Sequence, residues 1–292
     1  MPNILLTGSS GFIGRSLYRL RDSGYAVFAP SSGELDLTDP ARTEQYIGEH
    51  GIDVVVHCAN TRPNESDPCR VLDTNLRMFY NLSRCARYVD KIIYFGSGAE
   101  YGRHELPPMT REEQFGTVVP KDSYGFAKYI MHESAGHSGN IYDLCLFGVY
   151  GKHELWRRRF ISSNIIRALN GLPLSIRQDA RFDYLHVDDL LGITEWFIRN
   201  RPQHHHYNVC SSAPATLGDI ADIIRRETGA AVPVKVEKPG WQTEYSGDNA
   251  RLLGEVGAIR FTGLEAGIRE LIEYYRENIT AYPASELEQP ER

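Results

Sequence analysis

Two side chains whose spacing could support joint chemistry are Tyr124 and Lys128, which stand four residues apart in a helix-like stretch. This spacing places a phenol and an ammonium group on the same helix face, one turn apart. A tyrosine with a pKa of about 10 is a poor acid or base at neutral pH, but a neighbouring positive charge lowers that pKa. Ser97, which ends a predicted strand at 91–97, could hydrogen-bond the same substrate oxygen. The three residues therefore predict proton transfer to or from a substrate oxygen.

A glycine-rich turn follows the first predicted strand, which spans residues 3–7. The turn reads Gly8-Ser9-Ser10-Gly11-Phe12-Ile13-Gly14 and leads directly into a predicted helix. Glycines allow a tight turn and a close approach of the backbone to a pyrophosphate, and free amides at a helix start attract its charge. A purely structural turn is the alternative. In a chain of repeated βα units, however, the motif predicts that this segment binds a dinucleotide cofactor.

The end of the second predicted strand, at 26–29, bears on the choice between NAD and NADP. In many such folds an acidic residue at that point hydrogen-bonds the adenosine ribose and favours NAD. This chain continues instead with Pro30, Ser31 and Ser32. Both serines could donate to a 2′-phosphate and Arg15 could pair with it, although an arginine there is often simply solvated. We therefore expect NADP(H) to be preferred, with NAD(H) also possible.

Strands and helices alternate through the first half of the chain. Strands are predicted at 3–7, 26–29, 54–58, 91–97 and 143–148, and helices at 11–21, 40–49, 74–88 and 124–135. Because parallel neighbours need a crossover connection, this alternation predicts an α/β fold with a Rossmann-type, doubly wound parallel sheet. We place the dinucleotide-binding domain at 1–150, with a return segment at about 185–210 that ends in a strand at 206–210.

The alternation stops after Gly151. Further helices are predicted at 160–169, 216–228 and 264–278. We expect residues 151–184 and 211–292 to form a smaller, mixed α/β substrate-binding lobe. Because ligands of open α/β sheets bind at the carboxyl ends of the strands, the substrate should lie between this lobe and the sheet.

The composition is that of an acidic globular protein. The 292 residues include 32 Lys and Arg against 38 Asp and Glu, a formal net charge of −6. This balance argues against nucleic acid or an anionic membrane as the main partner. The sequence has no run of about 18 apolar residues that could cross a bilayer, and its first residues do not match a secretory signal. We expect a cytoplasmic protein.

Two features could invite a metal interpretation. The five cysteines are scattered without CxxC spacing, which favours reduced and mostly buried thiols. His204, His205 and His206 are consecutive, but neighbouring side chains that enter a strand point to opposite faces and cannot easily share one ion. We expect a polar surface turn at these histidines and no metal site.

The chain resembles the extended short-chain dehydrogenase/reductase family, in its nucleotide-sugar epimerase/reductase branch. The resemblance covers nearly the whole chain and rests on the glycine-rich turn, the Tyr124 to Lys128 motif and four further segments. These segments are Phe95-Gly96-Ser97-Gly98-Ala99-Glu100-Tyr101-Gly102, Leu146-Phe147-Gly148-Val149-Tyr150-Gly151, Arg181-Phe182-Asp183-Tyr184-Leu185-His186-Val187-Asp188-Asp189 and Tyr207-Asn208-Val209. Residues 34–39 and the carboxyl-terminal third are most similar to 4-keto-6-deoxy sugar reductases related to GDP-fucose synthase.

The resemblance implies that Ser97, Tyr124 and Lys128 are the catalytic set and that the substrate is a nucleotide-diphosphate sugar. The other residues that we assign are Asp36 and Leu37 near the adenine, Cys58 and Ala59 at the cofactor, Asn75 behind the active site, Gly98 and Ala99 at the sugar, Arg181 at the substrate diphosphate and Lys238 near the nucleotide end. The resemblance also implies a homodimer, in which helices 74–88 and 124–135 of two subunits form a four-helix contact. Tyr80, Leu82, Tyr129 and Met131 could supply its apolar surface.

Departures from the family pattern narrow the reaction. The dehydratases of this family carry an Asp-Glu pair directly after the residue matching Ser97, whereas this chain has Gly98 and Ala99. Fucose-synthase-like enzymes use a Cys and a His to epimerise carbons 3 and 5, but Ala99 matches the Cys and the His position falls near Phe160. We therefore expect NAD(P)H-dependent reduction at carbon 4 of a nucleotide-linked 4-keto-6-deoxy sugar. The alternatives are a carbon-4 epimerase with tightly bound NAD and a non-catalytic, cofactor-binding sensor.

Overall fold

The computed structural model describes residues 1–61 and 67–287. Its strands are β1 (Asn3–Thr7), β2 (Ala26–Phe28), β3 (Val54–His57), β4 (Lys91–Ser97), β5 (Ile141–Leu146), β6 (Gly148–Tyr150), β7 (Leu174–Asp179), β8 (Arg181–Phe182), β9 (Tyr184–His186), β10 (His206–Val209), β11 (Ala215–Thr216) and β12 (Val234–Trp241). Its α-helices are α1 (Phe12–Leu17), α2 (Pro40–Glu49), α3 (Pro68–Arg84), α4 (Ser123–Gly136), α5 (Phe160–Leu169), α6 (Asp189–Arg199), α7 (Leu217–Thr228), α8 (Ala250–Val256) and α9 (Leu264–Glu277).

Six strands form one parallel sheet in the order β2-β1-β3-β4-β5-β10. The chain moves outward from β1 to β2 and then crosses back to β3 on the other side of β1. The strand order therefore reverses between β1 and β3, which opens a crevice at their carboxyl ends. This topology confirms the predicted Rossmann-type fold.

Helices cover both faces of the sheet. Leu17 of α1 and Phe197 of α6 are buried in the core on one face. Ile47 of α2, Phe79 of α3 and Met131 of α4 are buried in the core on the other. Full burial of a large apolar side chain stabilises a fold by roughly 1.5–3 kcal/mol, so these two cores hold the sheet in place. The ends of β1, β3 and β4 are thereby fixed relative to one another.

The helices and strands that follow Gly151 have a core of their own. Ile165 of α5, Ile220 of α7 and Leu271 of α9 pack together in it. A parallel pair formed by β7 and β12 lies against these helices. The sequence analysis predicted neither strand. In β12 the reason is that the strand is exposed along most of its length and lacks an apolar pattern. None of the helices in the described ranges, 1–61 and 67–287, has the length and hydrophobicity needed to cross a membrane.

Some predicted boundaries were wrong for local reasons. The helix predicted at 74–88 begins at Pro68, where the Asp67 side chain accepts a hydrogen bond from the amide of Arg70 at 3.1 Å. Aspartate at the cap and proline in the first turn are ordinary helix-start signals. The helix predicted at 11–21 ends at Leu17 and continues as a tighter 3₁₀ helix to Ser23. The strand predicted at 143–148 instead spans β5 and stops before Phe147.

Candidate active site

Ser97 is the last residue of β4, which is buried along its whole length. A 3₁₀ turn, Gly98–Tyr101, follows it, and the Ser97 hydroxyl accepts a hydrogen bond from the Ala99 amide at 3.3 Å. Gly98 has no room for a side chain, because a Cβ there would lie 2.7 Å from the Phe147 ring and 2.8 Å from the Tyr245 hydroxyl. The turn therefore packs Gly98, the residue after Ser97, against two aromatic side chains.

Tyr124 and Lys128 lie on α4, which begins after Asp122. The Asp122 carboxylate accepts a hydrogen bond from the Gly125 amide at 2.8 Å. Lys128 is only 4% exposed, and its Nζ donates to the Phe95 carbonyl of β4 at 2.7 Å and lies 5.9 Å from the Tyr124 ring centroid. This hydrogen bond ties the helix to the strand that ends in Ser97. The three residues predicted to be catalytic are thus brought together at the carboxyl end of β4.

The glycine-rich turn is packed so closely that Gly8 and Gly14 have no room for a side chain. Gly8 has a φ of +67°, and a Cβ on it would lie 2.6 Å from the Ala59 nitrogen. A Cβ on Gly14 would lie 2.1 Å from the Gly8 carbonyl oxygen. No side chain within the described ranges caps the start of α1 at Gly11. The turn therefore forms a backbone cradle of the kind that fits a dinucleotide pyrophosphate.

The end of β3 is fastened to the end of β1. The hydroxyl of Thr7 lies 2.8 Å from His57 Nδ1 and accepts a hydrogen bond from the Ala59 amide at 3.2 Å. Burial and then the charge of Lys128 lower the pKa of His57 to about 3, so this imidazole is neutral. Burial raises the pKa of Cys58, which keeps its thiol protonated. The predicted cofactor residues Cys58 and Ala59 thus border the crevice beside Gly8.

Asn75 lies on α3 and is almost fully buried. Its amide exchanges two hydrogen bonds of 2.8 Å with the backbone of Thr61, one with the nitrogen and one with the oxygen. Asn75 therefore holds the segment that follows β3 against α3.

The adenine end differs from one premise of the sequence analysis. No carboxylate was expected at the end of β2, but Glu34 folds back so that its carboxylate accepts hydrogen bonds from the Ser31 amide and hydroxyl, both at 2.7 Å. These bonds lower the pKa of Glu34 and keep it ionised. Asp36 is engaged in a similar turn with Thr38. Leu37 is buried, and its carbonyl accepts from Asn81. The Arg15 Nε donates to the Ser10 carbonyl at 3.0 Å.

Tyr245 is a site residue that the sequence analysis missed. It is buried in the segment between β12 and α8, and its hydroxyl lies 3.5 Å from the Ser97 hydroxyl. Its amide donates to the Arg181 carbonyl at 2.9 Å, so the backbone of Arg181 lies directly beside that of Tyr245. No motif marks Tyr245, because its position depends on pairing with β8, far away in sequence.

The two residues predicted at the substrate diphosphate differ in position. The Arg181 side chain is about half exposed, lies 3.5 Å from Glu244 and donates to the Pro214 carbonyl. Lys238 is exposed on β12, where its backbone pairs with Gln178 of β7. Arg181 therefore adjoins Tyr245, whereas the pairing of Lys238 belongs to the β7–β12 edge of the lobe.

The prediction of a polar surface turn at His204 to His206 was wrong for His206. This residue lies in β10, and its ring stacks on His132 with centroids 3.5 Å apart. Its Nδ1 lies 3.7 Å from the carboxylate of buried Asp143. The turn prediction failed because it considered only neighbours in sequence, whereas β10 inserts beside β5 and carries His206 into the sheet.

The fold and the site together define a class of protein: a Rossmann-type fold with a dinucleotide cradle after β1 and a Ser-Tyr-Lys set formed by the end of β4 and the start of α4. A family model, the NAD dependent epimerase/dehydratase family, matches residues 4–210. The chain belongs to this family, whose members are NAD(P)-dependent enzymes that act on nucleotide sugars. The backbone cradle of the glycine-rich turn fits the cofactor that the family implies.

Relatives with different activities resemble this chain to a similar degree. GDP-L-colitose synthase of Yersinia pseudotuberculosis is 24% identical, over 93% of this chain and 97% of that protein. UDP-glucose 4-epimerase of Caenorhabditis elegans is also 24% identical, over 97% and 100%. Among solved structures, a GDP-mannoheptose C4 reductase from Campylobacter jejuni with NADP bound superposes with a TM-score of 0.80 at 18% identity, covering 94% of this chain and 98% of that one. The last comparison bears on the fold alone.

Proposed function

We propose that this chain is an NAD(P)H-dependent reductase that acts at carbon 4 of a nucleotide-diphosphate 4-keto-6-deoxy sugar. The observation that carries the proposal is the complete set of Ser97, Tyr124 and Lys128, beside which Gly98 packs against the side chains of Phe147 and Tyr245. Among the relatives, GDP-L-colitose synthase has the name of an enzyme that makes a nucleotide-linked sugar, which is the substrate class of the proposal.

The residues divide the work at one oxygen atom. Tyr124 donates its phenolic proton to the carbon-4 oxygen as the ketone becomes an alcohol, and the Ser97 hydroxyl hydrogen-bonds that oxygen. Lys128 would hold the ribose of a bound cofactor, and its positive charge would stabilise the negative charge that develops on the Tyr124 oxygen as the proton leaves. The bound cofactor supplies the hydride for carbon 4.

The position of Glu100 favours reduction over dehydration. Dehydration needs an acid and a base in the pocket, and Glu100 is the acidic residue nearest to Ser97 in sequence. Its side chain is fully buried, however. One carboxylate oxygen accepts a hydrogen bond from the Ser97 amide at 3.2 Å, and the other lies 2.9 Å from His132 Nδ1. Both carboxylate oxygens of Glu100 are thus engaged within the protein, and we infer no role for this residue in eliminating water.

The proposal is tested by incubating the protein with NADPH or NADH and nucleotide 4-keto-6-deoxyhexoses that differ in base. We expect loss of reduced cofactor in a one-to-one ratio with a carbon-4 alcohol. If no 4-keto sugar consumes reduced cofactor but a finished nucleotide hexose is inverted at carbon 4 without net redox change, the protein is a 4-epimerase and the proposal is wrong.

The preference for NADP(H) is part of the proposal and depends on a competition at the end of β2. Arg15 and Ser32 favour a 2′-phosphate, whereas the ionised carboxylate of Glu34 occupies the donors of Ser31 and repels a phosphate. We expect tighter binding of NADPH than of NADH, measured by fluorescence titration. Equal affinities would contradict this expectation.

We also propose a homodimer formed through α3 and α4. Leu82 and Met131 cannot contribute to it as expected, because both are 1% exposed within their own subunit. Tyr80 is 42% exposed, and Leu72 and Leu76 precede it on α3 at four-residue spacing and are partly exposed. This stripe provides the apolar face of the contact.

Light scattering at micromolar concentration tests the dimer. We expect the mass of two subunits for the unmodified protein and of one subunit for Tyr80→Glu. Tyr88→Glu is the matched control, because Tyr88 is 52% exposed but lies beyond α3, in a 3₁₀ turn. A monomer for the unmodified protein would refute the proposal.

A further inference from the structure

Beneath the Ser97 turn lies a buried cluster of four titratable side chains, which we call the sub-serine cluster. Its members are Glu100 of the 3₁₀ turn, His132 of α4, Asp143 of β5 and His206 of β10. Glu100 and Asp143 are 0% exposed, and His132 is 5% exposed. Such groups are expensive to bury unless they satisfy one another, so the arrangement requires a reason.

The cluster connects the catalytic helix to the catalytic serine. His132 Nδ1 lies 2.9 Å from one oxygen of Glu100 and 3.2 Å from Asp143. The other oxygen of Glu100 accepts the backbone N–H of Ser97 at 3.2 Å. A continuous path of polar contacts therefore runs from α4 through His132 and Glu100 to Ser97.

The spacing along α4 gives this path a geometric meaning. Tyr124, Lys128 and His132 follow one another at intervals of four, so they share one face of the helix. Lys128 contacts β4 through the Phe95 carbonyl, and His132 contacts the turn that begins after β4. The helix is thus fastened on both sides of Gly96, the residue that precedes Ser97.

Gly96 reports how closely the carboxylates approach this backbone. A Cβ on Gly96 would lie 2.1 Å from Asp143 Oδ1 and 2.8 Å from Glu100 Oε2. Both carboxylates therefore pack directly against the backbone of β4 at the residue that precedes Ser97.

The contacts indicate that His132 carries a positive charge. One nitrogen of its ring faces two buried carboxylates, and Phe115 stacks on the ring with centroids 3.5 Å apart and planes 9° from parallel. Although burial would lower the pKa of His132, its contacts with Asp143 and Glu100 raise it to about 9. Burial and the charge of Asp143 raise the pKa of Glu100 to about 7.

The other titratable groups beside the cluster are neutral. Burial raises the pKa of the Tyr94 and Tyr101 phenols and of the Cys145 thiol. Burial lowers the pKa of His206, so its imidazole is uncharged at neutral pH. His132 is therefore the cation that balances Glu100 and Asp143.

A metal ion is the competing explanation, because ligand atoms of His132, Asp143 and His206 all lie within 4.8 Å of one another. The two imidazole rings are stacked 3.5 Å apart and only 6° from parallel. An ion shared by both Nδ1 atoms would lie between the ring planes, whereas the lone pair of each nitrogen lies within its own ring plane. The observed geometry therefore favours an ionic cluster, in which His132 is hydrogen-bonded to Glu100 and lies within ion-pair distance of Asp143.

We propose that protonated His132 is a positioning residue, which holds Glu100 and thereby the backbone of Ser97 in register with Tyr124 on α4. The proposal rests on the proposed function only in assuming that Ser97 and Tyr124 act on the same substrate oxygen. Both carboxylates and the imidazolium are ionised between about pH 7 and 9, so the path is complete in this interval.

The first experiment requires no substrate. In protein labelled with ¹⁵N-histidine, we expect the His132 signal, assigned by its loss in His132→Asn, to remain that of an imidazolium at pH 8 and to titrate near pH 9. In Glu100→Gln, which keeps an acceptor for Ser97 but removes one charge, that titration should move to lower pH. A His132 that is neutral at pH 7, or whose titration is unchanged in Glu100→Gln, overturns the proposal.

The second experiment measures positioning. Asparagine can keep an N–H donor near the site of Nδ1 but carries no charge, so we expect His132→Asn to lower kcat at least tenfold while changing the cofactor Kd less than twofold. The fall of kcat at alkaline pH should lose its component near pH 9. The control is His137→Asn, an exposed residue at the end of the same helix. An unchanged kcat and pH profile in His132→Asn overturns the proposal.

Two further outcomes are decisive. One equivalent of tightly bound divalent metal in the purified protein, lost in His132→Asn, would establish the metal site and overturn the positioning role. If the unmodified protein reduces no 4-keto sugar, the proposed function fails, but the titration and the Ser97 amide exchange rate still judge this inference. We expect faster exchange of that amide in His132→Asn than in His137→Asn, and equal rates would overturn it.

Discussion

The ends of β1 and β4 lie at the same edge of the sheet, but they are built from different materials. The end of β1 is made of backbone: Gly8 and Gly14 leave no room for side chains, and the neighbouring His57 is neutral. The end of β4 is supported by the buried charges of Glu100, His132 and Asp143. Backbone amides are suited to holding a cofactor phosphate at any moderate pH, whereas the charges under Ser97 make its position depend on protonation.

This difference implies different sensitivities at the two strand ends. The raised pKa of His132 means that its contribution to the free energy of unfolding is fully present below about pH 6.5 and is lost as the pH rises through about 9. Residues 8–14, which form the glycine-rich turn, include no side chain that titrates near neutral pH. Cofactor binding should therefore change less with pH than the catalytic step does.

We expect the largest effect from removal of the Tyr124 hydroxyl, because the proposed function gives this group a role in proton transfer and none in holding either strand end. We expect Tyr124→Phe to lower kcat by roughly 10²–10⁴, the usual contribution of a general acid, and to leave cofactor affinity nearly unchanged. Stopped-flow measurement of NADPH oxidation checks this. Tyr129→Phe, on the same helix, is the control and should retain its activity. A Tyr124→Phe variant with normal kcat would exclude the assigned role.

The sequence predicted the β1 end well, because its signal is local. Three glycines between an apolar run and a helix specify the turn without any distant residue. The Ser97 strand and the Tyr124 to Lys128 spacing are local signals of the same kind. That Ser97 lies near Tyr124 and Lys128 in space was predicted only through the family resemblance. The sub-serine cluster was not predictable, because residues 100, 132, 143 and 206 meet only after α4 packs and β10 joins β5. Tyr245 was missed for the same reason.

A methyl group on Gly96 should damage the β4 end selectively. It would meet Asp143 at 2.1 Å, so the carboxylates must shift or the strand must move. Overpacking of this kind costs roughly 1–3 kcal/mol, and we expect Gly96→Ala to lower the melting temperature by several degrees and kcat at least tenfold. Gly48→Ala is the control, since no atom lies within 4 Å of a Cβ there. Normal kcat in Gly96→Ala would show that the cluster does not position Ser97.

The corresponding change at the β1 end should affect binding more than turnover. A Cβ on Gly14 would lie 2.1 Å from the Gly8 carbonyl oxygen, which forces the cradle open. We expect Gly14→Ala to weaken cofactor binding by roughly tenfold or more, equivalent to about 1.4 kcal/mol, while kcat at saturating cofactor falls much less than in Gly96→Ala. Cofactor titration and initial rates measure the two effects. If both glycine variants lose affinity and kcat in equal proportion, the two strand ends are not independent.

The smallest expected effect concerns the cofactor choice at the adenine end of the β1 crevice, where one charge interrupts an otherwise backbone-built site. The Glu34 carboxylate accepts hydrogen bonds from the amide and hydroxyl of Ser31, both at 2.7 Å, and under the proposal it would repel a 2′-phosphate. In Glu34→Gln the negative charge is removed and Ser31 becomes easier to release, so we expect NADPH affinity to rise by several-fold to about tenfold, as loss of a repulsion or gain of one charge-assisted contact would give. NADH affinity should change less than twofold, because it carries a hydroxyl in place of the phosphate. Glu49→Gln, a change of the same type in α2, is the control for net charge. The ratio of the NADPH and NADH dissociation constants is measured at low and at moderate salt. A general electrostatic effect should appear in Glu49→Gln as well as in Glu34→Gln and should weaken equally in both as salt rises, whereas a local effect should appear in Glu34→Gln alone. A ratio unchanged by Glu34→Gln would mean that Glu34 does not influence the 2′-position and that the cofactor choice is made elsewhere in the crevice.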